Sequence, residues 1–109
     1  MDDYKLRDMV NGWFVGDFAP TLWRTQDFEV AVKHYRAGTR EAAHVHKVAT
    51  EWTVVVSGEV RMGGHAFTSG DIVVVHPGEA ADFEAVTDAV TTVVKVPSVK
   101  GDKYIAGPR

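Results

Sequence analysis

The sequence predicts an all-β fold, a sandwich or barrel of antiparallel strands. Apolar and polar residues alternate over short stretches such as 28–35, which is the period of a strand with two different faces. The apolar runs, such as 72–75, have the length of strands and are too short for buried helices. Turn-forming residues recur roughly every eight to twelve positions, a spacing typical of all-β sandwiches and barrels.

Residues 1–27 are predicted to be an N-terminal arm with loops, packed on the barrel or on a partner subunit. Residues 2–10 fit either a short helical turn or an extended arm. Gly12, Gly16 and Pro20 then interrupt any regular structure.

The barrel itself is predicted over residues 28–97. The expected strands are 28–35, a strand around 44–48, then 52–56, 60–62, 65–68, 72–75, 81–86 and 90–96. Gly63-Gly64 predicts a tight hairpin, because glycine tolerates the positive φ angles that such turns require. Pro97 ends the last strand, and the polar residues 98–109 are expected to be a C-terminal tail that is loose or docked on a partner.

Composition bounds the possible functions. A chain of 109 residues with 45% hydrophobic and 25% charged content indicates one globular domain. A net charge of −3 argues against nucleic-acid binding, and the lack of cysteine excludes disulfides and thiol chemistry. The N-terminus has no apolar signal segment, and no apolar run is long enough for a membrane span. We therefore expect a cytoplasmic protein without nucleic-acid or membrane partners.

A possible metal site lies between Gly38 and Gly58. His44 and His46 are one residue apart, so a strand would project both imidazoles from the same face. Glu51 follows after enough residues for the chain to turn into the next strand. Two imidazoles and one carboxylate hold a divalent transition metal and leave positions open for a ligand. The pattern predicts a site for Fe(II), Mn(II), Ni(II) or Zn(II).

Five residues resemble the first signature motif of the cupin superfamily in identity and spacing: Gly38, His44, His46, Glu51 and Gly58. The stretch 70–78, which begins Gly-Asp, resembles the second motif in part. His76 stands where that motif usually has proline, and Ala81 where it usually has the remaining histidine ligand. The resemblance covers residues 28–96. It implies a small single-domain cupin, that is, a jelly-roll-like double-stranded β-helix forming a conical barrel, with a metal in the barrel mouth and often a homodimer.

Because Ala81 stands where the motif usually has a histidine, the sequence does not decide which residue is the fourth ligand. A one-residue shift or bulge after Gly78 would turn Asp82 inward as an oxygen ligand. His76 would close the site from the rim. The third alternative is an open coordination position, filled by water or substrate, as in catalytic metal sites.

Three further side chains are candidates for the chemistry. His34 shares a strand face with Val30 and Val32, so it is a candidate acid–base group in the cavity; the alternative is a hydrogen-bonded histidine at the edge of the core. His76 is the second catalytic candidate, with an ordinary loop residue as the alternative. Lys95 is placed either to meet an anionic substrate or on the surface.

Two functional hypotheses follow. The first is a metal-dependent enzyme of isomerase or oxygenase type that acts on a small polar metabolite, a sugar or a carboxylic acid. The second is a non-catalytic module that binds a small ligand, with a structural metal or none. The expected partners are that small molecule and a second copy of the chain.

Overall fold

Two antiparallel sheets form the molecule, as shown by a computed structural model that describes residues 1–106. The strands in chain order are β1 (Trp13–Val15), β2 (Glu29–Tyr35), β3 (Arg40–Val45), β4 (Thr50–Ser57), β5 (Glu59–Met62), β6 (His65–Thr68), β7 (Ile72–Val75), β8 (Ala81–Ala85), β9 (Ala89–Val96) and β10 (Tyr104–Ile105). A 3₁₀ turn, Leu6–Asp8, precedes them. Across residues 1–106 no helix has the length and apolar character to cross a membrane. The all-β prediction is confirmed.

Each sheet has five strands. The first sheet has the order β1-β2-β9-β4-β7, and the second has the order β10-β3-β8-β5-β6. The chain therefore passes between the sheets several times, for example from β4 to β5 and from β6 to β7. This arrangement leaves the inner faces of the two sheets opposite each other, so that their inward side chains share one interior.

The predicted hairpin between β5 and β6 is confirmed. Met62 pairs with His65, and Gly63 and Gly64 have φ angles of 57° and 83°. The bounds of β6 and β7 are the predicted ones, whereas β3 ends at Val45 rather than at residue 48. It ends early because residues 47–49 turn their backbone N–H groups to a carboxylate of the C-terminal segment instead of a neighbouring strand.

Both terminal segments contribute strands to the chain's own sheets. β1 pairs with β2, and β10 pairs with β3. Over residues 98–106 the C-terminal segment is therefore docked on its own barrel, which corrects the expectation of a loose or partner-bound tail; residues 107–109 lie outside the described part. β1 and β10 have three and two residues, which is too short to show a period in the sequence.

The core lies between the sheets. Its buried cluster includes Val55 from the first sheet and Val60, Phe83 and Ala85 from the second. On β4, Thr53 and Val55 are buried while Val56 is exposed, as strand alternation predicts. The same alternation turns Glu51 toward the interior, which places a carboxylate at one end of this core.

Candidate metal and ligand site

A cavity of about 180 Å³ lies between the two sheets. It is lined by Trp13, Glu29, Lys33, Tyr35, Glu41, His44, His46, Glu51, Thr53, Met62, Val75, Ala81, Asp82, Phe83, Val93, Lys95 and Lys103. An apolar cavity of roughly 150 Å³ is large enough for benzene. The volume here therefore fits a ligand of a few carbon and oxygen atoms.

The three predicted metal ligands all line this cavity. His44 belongs to β3, His46 follows the end of that strand, and Glu51 comes from β4 in the other sheet. The two imidazole ring centroids are 5.1 Å apart. His46 Nε2 lies 3.7 Å from Glu51 Oε1. The fold thus brings the side chains singled out in the sequence to one place.

An irregularity in β3 aims two polar side chains into the cavity. His44 pairs with Ala81 and Glu41 pairs with Phe83, so three steps along β3 correspond to two along β8. This is the count of a β-bulge, which changes the facing of the residues that follow it. Glu41 and His44 consequently both line the cavity, although strict alternation would separate them. Glu41 was not found from sequence because nothing in the local pattern marks the bulge.

Hydrogen bonds fix the tautomer of both histidines. The Nδ1–H of His46 donates to the backbone carbonyl of Asp102, and the Nδ1–H of His44 donates to the carbonyl of Ala42 at 3.2 Å. A carbonyl oxygen only accepts, so the proton of each neutral ring is on Nδ1. Nε2 of each ring therefore carries the free lone pair, which is the state that a metal ligand requires.

The C-terminal segment holds the loop that carries His46. The Asp102 carboxylate accepts the backbone N–H groups of Lys47 at 2.8 Å, Val48 at 3.2 Å and Ala49 at 2.9 Å. Burial opposes ionisation of Asp102, but these three donors outweigh it and its pKa is lowered. Asp102 thus positions His46 through both its side chain and its backbone.

Glu51 is the electrostatic centre of the site. Burial opposes its ionisation, but the adjacent His46 and Lys95 outweigh that effect and lower its pKa. Glu51 in turn raises the pKa of His46 against the opposing effect of burial. Lys95 Nζ lies 4.0 Å from Glu51 Oε1. Burial lowers the pKa of His44, which favours its neutral, ligating form.

The His46–Glu51 pair fits a metal ion in chemistry and in spacing. His46 Nε2 is buried and has no hydrogen-bond partner among residues 1–106, an arrangement that is costly unless another group satisfies it. A metal bound tetrahedrally at about 2.0–2.2 Å from each atom would separate them by about 3.4 Å. That value is close to the 3.7 Å observed. A complete ligand set is not in place, however: within residues 1–106 no group of three or more His, Asp or Glu side chains is arranged to hold a metal.

The structure corrects the expectation for His34. It is exposed, and the other face of β2, with Glu29, Lys33 and Tyr35, lines the cavity. Alternation separates the two faces of a strand but does not say which one is inside. The sequence pattern predicts that the apolar face of β2 is the inner one, whereas the interior of this protein is partly polar.

Neither proposed fourth ligand is in position. His76 is exposed, does not line the cavity, and its backbone N–H donates to Glu79 Oε1 at 2.7 Å. Asp82 reaches the cavity lining, but its Oδ1 accepts the N–H of Gly63 at 2.8 Å. Ala81 faces the cavity beside His44, with nothing but a methyl group where the cupin motif usually has a ligand.

The cavity also contains Lys33, Lys95 and the ring of Trp13, and of the two alternatives for Lys95 the structure agrees with the cavity position. Lys33 Nζ lies 5.5 Å and Lys95 Nζ 5.0 Å from the centroid of the Trp13 ring. The Lys95 side chain is 16% exposed, so it belongs to the cavity rather than to the surface. Burial lowers the pKa of Lys33 and raises that of Tyr35. Lys33 and Tyr35 lie on the face of β2 opposite to His34, as the alternation of the strand requires.

No family model and no curated protein matches the sequence. Solved structures do match. A double-stranded β-helix protein from Klebsiella pneumoniae is 26% identical, with a TM-score of 0.69 and coverage of 77% of this chain and 74% of that one. An RmlC-like cupin from Desulfovibrio desulfuricans is 22% identical, with a TM-score of 0.61 and coverage of 69% and 76%.

A sugar phosphate isomerase of the cupin superfamily from Silicibacter pomeroyi is 23% identical, with a TM-score of 0.60. That alignment covers 64% of this chain and 50% of the isomerase, so the chain spans half of its length. The topology of two antiparallel sheets agrees with these likenesses. The chain therefore has the double-stranded β-helix fold, which it shares with these cupin structures.

Proposed function

We propose that the chain is a metal-dependent enzyme that acts on a small polar metabolite, a sugar or a carboxylic acid, inside the barrel. His46 and Glu51 would hold a divalent transition metal together with His44, leaving the position beside Ala81 open to the substrate. The observation that carries this proposal is the buried Nε2 of His46, which has no hydrogen-bond partner in residues 1–106 and faces a carboxylate across a gap of 3.7 Å.

A bound metal would supply Lewis-acid polarisation of a substrate oxygen, or redox chemistry if it is iron or manganese. The residues of the chain do the rest. Asp102 and Ala42 keep the Nδ1 protons of the two histidines in place. Tyr35 lines the cavity, and burial raises its pKa, so its hydroxyl stays protonated well above neutral pH and could donate to a substrate oxygen. The fold shared with a sugar phosphate isomerase supports, but does not by itself choose, the isomerase type.

Calorimetric titration of the protein with Zn²⁺ and Mn²⁺ tests the metal site. We expect Glu51→Gln to weaken binding at least tenfold, because it removes the charged ligand. Glu59→Gln is the matched control, since Glu59 is exposed on β5 and should bind as wild type. Equal affinity of wild type and Glu51→Gln would contradict the proposed ligand set.

The alternative function is a non-catalytic module that binds a small ligand without metal. It is favoured by the incomplete ligand set and by Lys95, whose ammonium places a positive charge 4.0 Å from the Glu51 carboxylate. A lysine there can neutralise Glu51 without any metal. Failure of the wild type to bind Zn²⁺ and Mn²⁺, with retention of small-ligand binding, would select this function.

We further propose that two copies of the chain associate through the outer face of the first sheet. The exposed side chains Val56, Ile72, Val74 and Val96 lie there, on β4, β7 and β9. Several exposed apolar side chains on one face of a sheet are typical of an interaction surface.

A further inference from the structure

Three lysines from three different elements line the cavity. Lys33 comes from β2, Lys95 from β9, and Lys103 from the segment before β10. The ammonium groups of Lys33 and Lys95 both lie over the Trp13 ring, at 5.5 Å and 5.0 Å from its centroid. Cations are attracted to the face of an indole, so the ring fixes the two ammoniums near each other. The Trp13 ring thus has two ammonium groups within 5.5 Å of its centroid, both from residues of the cavity lining.

The acidic side chains of the cavity already have donors of their own. Glu29 Oε1 accepts the Ser98 hydroxyl at 3.2 Å, and Asp82 accepts a backbone N–H. Glu41 lies close enough to Tyr35 and Lys33 for its charge to raise the pKa of both. Glu51 faces His46 and Lys95. Most carboxylates of the cavity therefore already interact with other groups of the protein.

Lys33 differs from these groups. Burial lowers its pKa although the charge of Glu41 opposes that effect, and no carboxylate oxygen of residues 1–106 lies within the 4.0 Å of an ion pair from its Nζ. A partly buried ammonium without an anionic partner is unfavourable, and the indole face compensates for only part of the lost hydration. An anion supplied from outside would complete its environment.

We propose that Lys33 and Lys95, held over Trp13, form the binding site for an anionic group, a carboxylate or a phosphate, of the ligand that enters this cavity. The inference deepens the proposed function, on which it rests for the identity of the cavity as the ligand site, and names the ligand as a small anion. The volume of about 180 Å³ limits it to a small acid or phosphate compound.

The test is an NMR titration that follows the indole N–H of Trp13 in chelator-treated protein. The probes are succinate, inorganic phosphate and the neutral succinamide. We expect a saturable shift with at least one of the two anions and none with succinamide. Lys33→Met should weaken anion binding at least tenfold, and Lys33→Arg should retain it because the charge remains. Lys5→Met is the control, since Lys5 is exposed on the N-terminal segment and should change nothing.

The two anions distinguish a carboxylate site from a phosphate site. The absence of a saturable shift with both, an equal shift with succinamide, or unchanged affinity in Lys33→Met would each overturn the inference. Repeating the titration after addition of Zn²⁺ separates this result from the proposed metal site. Anion binding that appears only with Zn²⁺ and is unaffected by Lys33→Met would place the anion on the metal and also overturn it. Anion binding without any metal binding would support the inference and contradict only the proposed metal site.

Discussion

His46 is fixed on one side of its ring and open on the other. Its Nδ1–H is bound to the Asp102 carbonyl, while its buried Nε2 has no partner in the described residues. Proteins seldom leave a buried polar atom unsatisfied unless a ligand, ion or water completes it. His46, which the sequence motif identifies as a ligand, therefore has an environment that a bound ion or other group would complete.

Ala81→His should strengthen metal binding. Ala81 is the cross-strand neighbour of His44 and lines the cavity, so an imidazole there would add the ligand that the cupin motif usually has. We expect at least tenfold tighter binding of Zn²⁺ in a calorimetric titration. Ala80→His, at the exposed preceding position, is the control. No gain from Ala81→His would mean that residue 81 does not reach the metal position.

Tyr35 predicts a specific alkaline pH dependence of stability. Its pKa is raised in the folded protein, first by burial and then by Glu41 and Glu51. As the pH rises above about 10, the unfolded chain releases this proton while the folded chain keeps it, so the free energy of unfolding falls.

Urea denaturation between pH 7 and 11 should show that this fall is smaller in Tyr35→Phe than in wild type. Tyr4→Phe, at an exposed position, should follow the wild type. Parallel curves for wild type and Tyr35→Phe would show that Tyr35 titrates normally.

At the scale of elements, the segment between β9 and β10 organises the site although it forms no strand itself. Asp102 binds three consecutive N–H groups of the loop after β3, and β10 then pairs with β3 itself. These contacts explain why a short polar stretch is ordered against the sheet. They also tie the orientation of His46 to residues far along the chain.

Asp102→Ala should destabilise the protein by about 3 kcal/mol, because buried N–H groups lose a charged acceptor. Urea denaturation at neutral pH measures this loss, and a Zn²⁺ titration should show weaker binding because the His46 ring is less fixed. Asp88→Ala, which removes an exposed bond to the Ala37 N–H, should cost less than about 1 kcal/mol. A similar small effect for both variants would show that Asp102 does not clamp the loop.

The elements show which features can be predicted from sequence. The strands with clear alternation and the hairpin at Gly63-Gly64 follow from local chemistry, and His44, His46 and Glu51 follow from their spacing. The bulge in β3 and the docking of Asp102 depend on contacts between residues far apart in the sequence, so no local pattern predicts them. For β2 the alternation was recognised, but its polar face proved to be the inner one.

At the scale of the whole molecule, the two faces of the first sheet have opposite characters. The inner face carries Glu29, Lys95 and Glu51 side by side across β2, β9 and β4. The outer face carries Ile72 and Val74, which are 62% and 40% exposed. Part of the interior is thus polar and part of an outer surface is apolar, and these are the two surfaces at which ligand binding and association of two copies are proposed.

Analytical ultracentrifugation tests the outer surface. We expect the wild type to sediment at twice the chain mass, and Val74→Lys to sediment as a monomer, because a charge at the centre of an apolar interface is costly. Val86→Lys, at an exposed position just after β8 in the other sheet, should leave the dimer intact. A monomeric wild type would contradict the proposed association.

The central claim is that His46 and Glu51 hold a metal in the cavity, and elemental analysis tests it most directly. Untagged wild type and His46→Ala would be purified anaerobically without chelators and compared. We expect near-stoichiometric iron, manganese, nickel or zinc in the wild type and at least a tenfold loss in the variant, because one of few ligands is removed. Equal metal content in both proteins, or no metal in the wild type even after reconstitution, would contradict the claim.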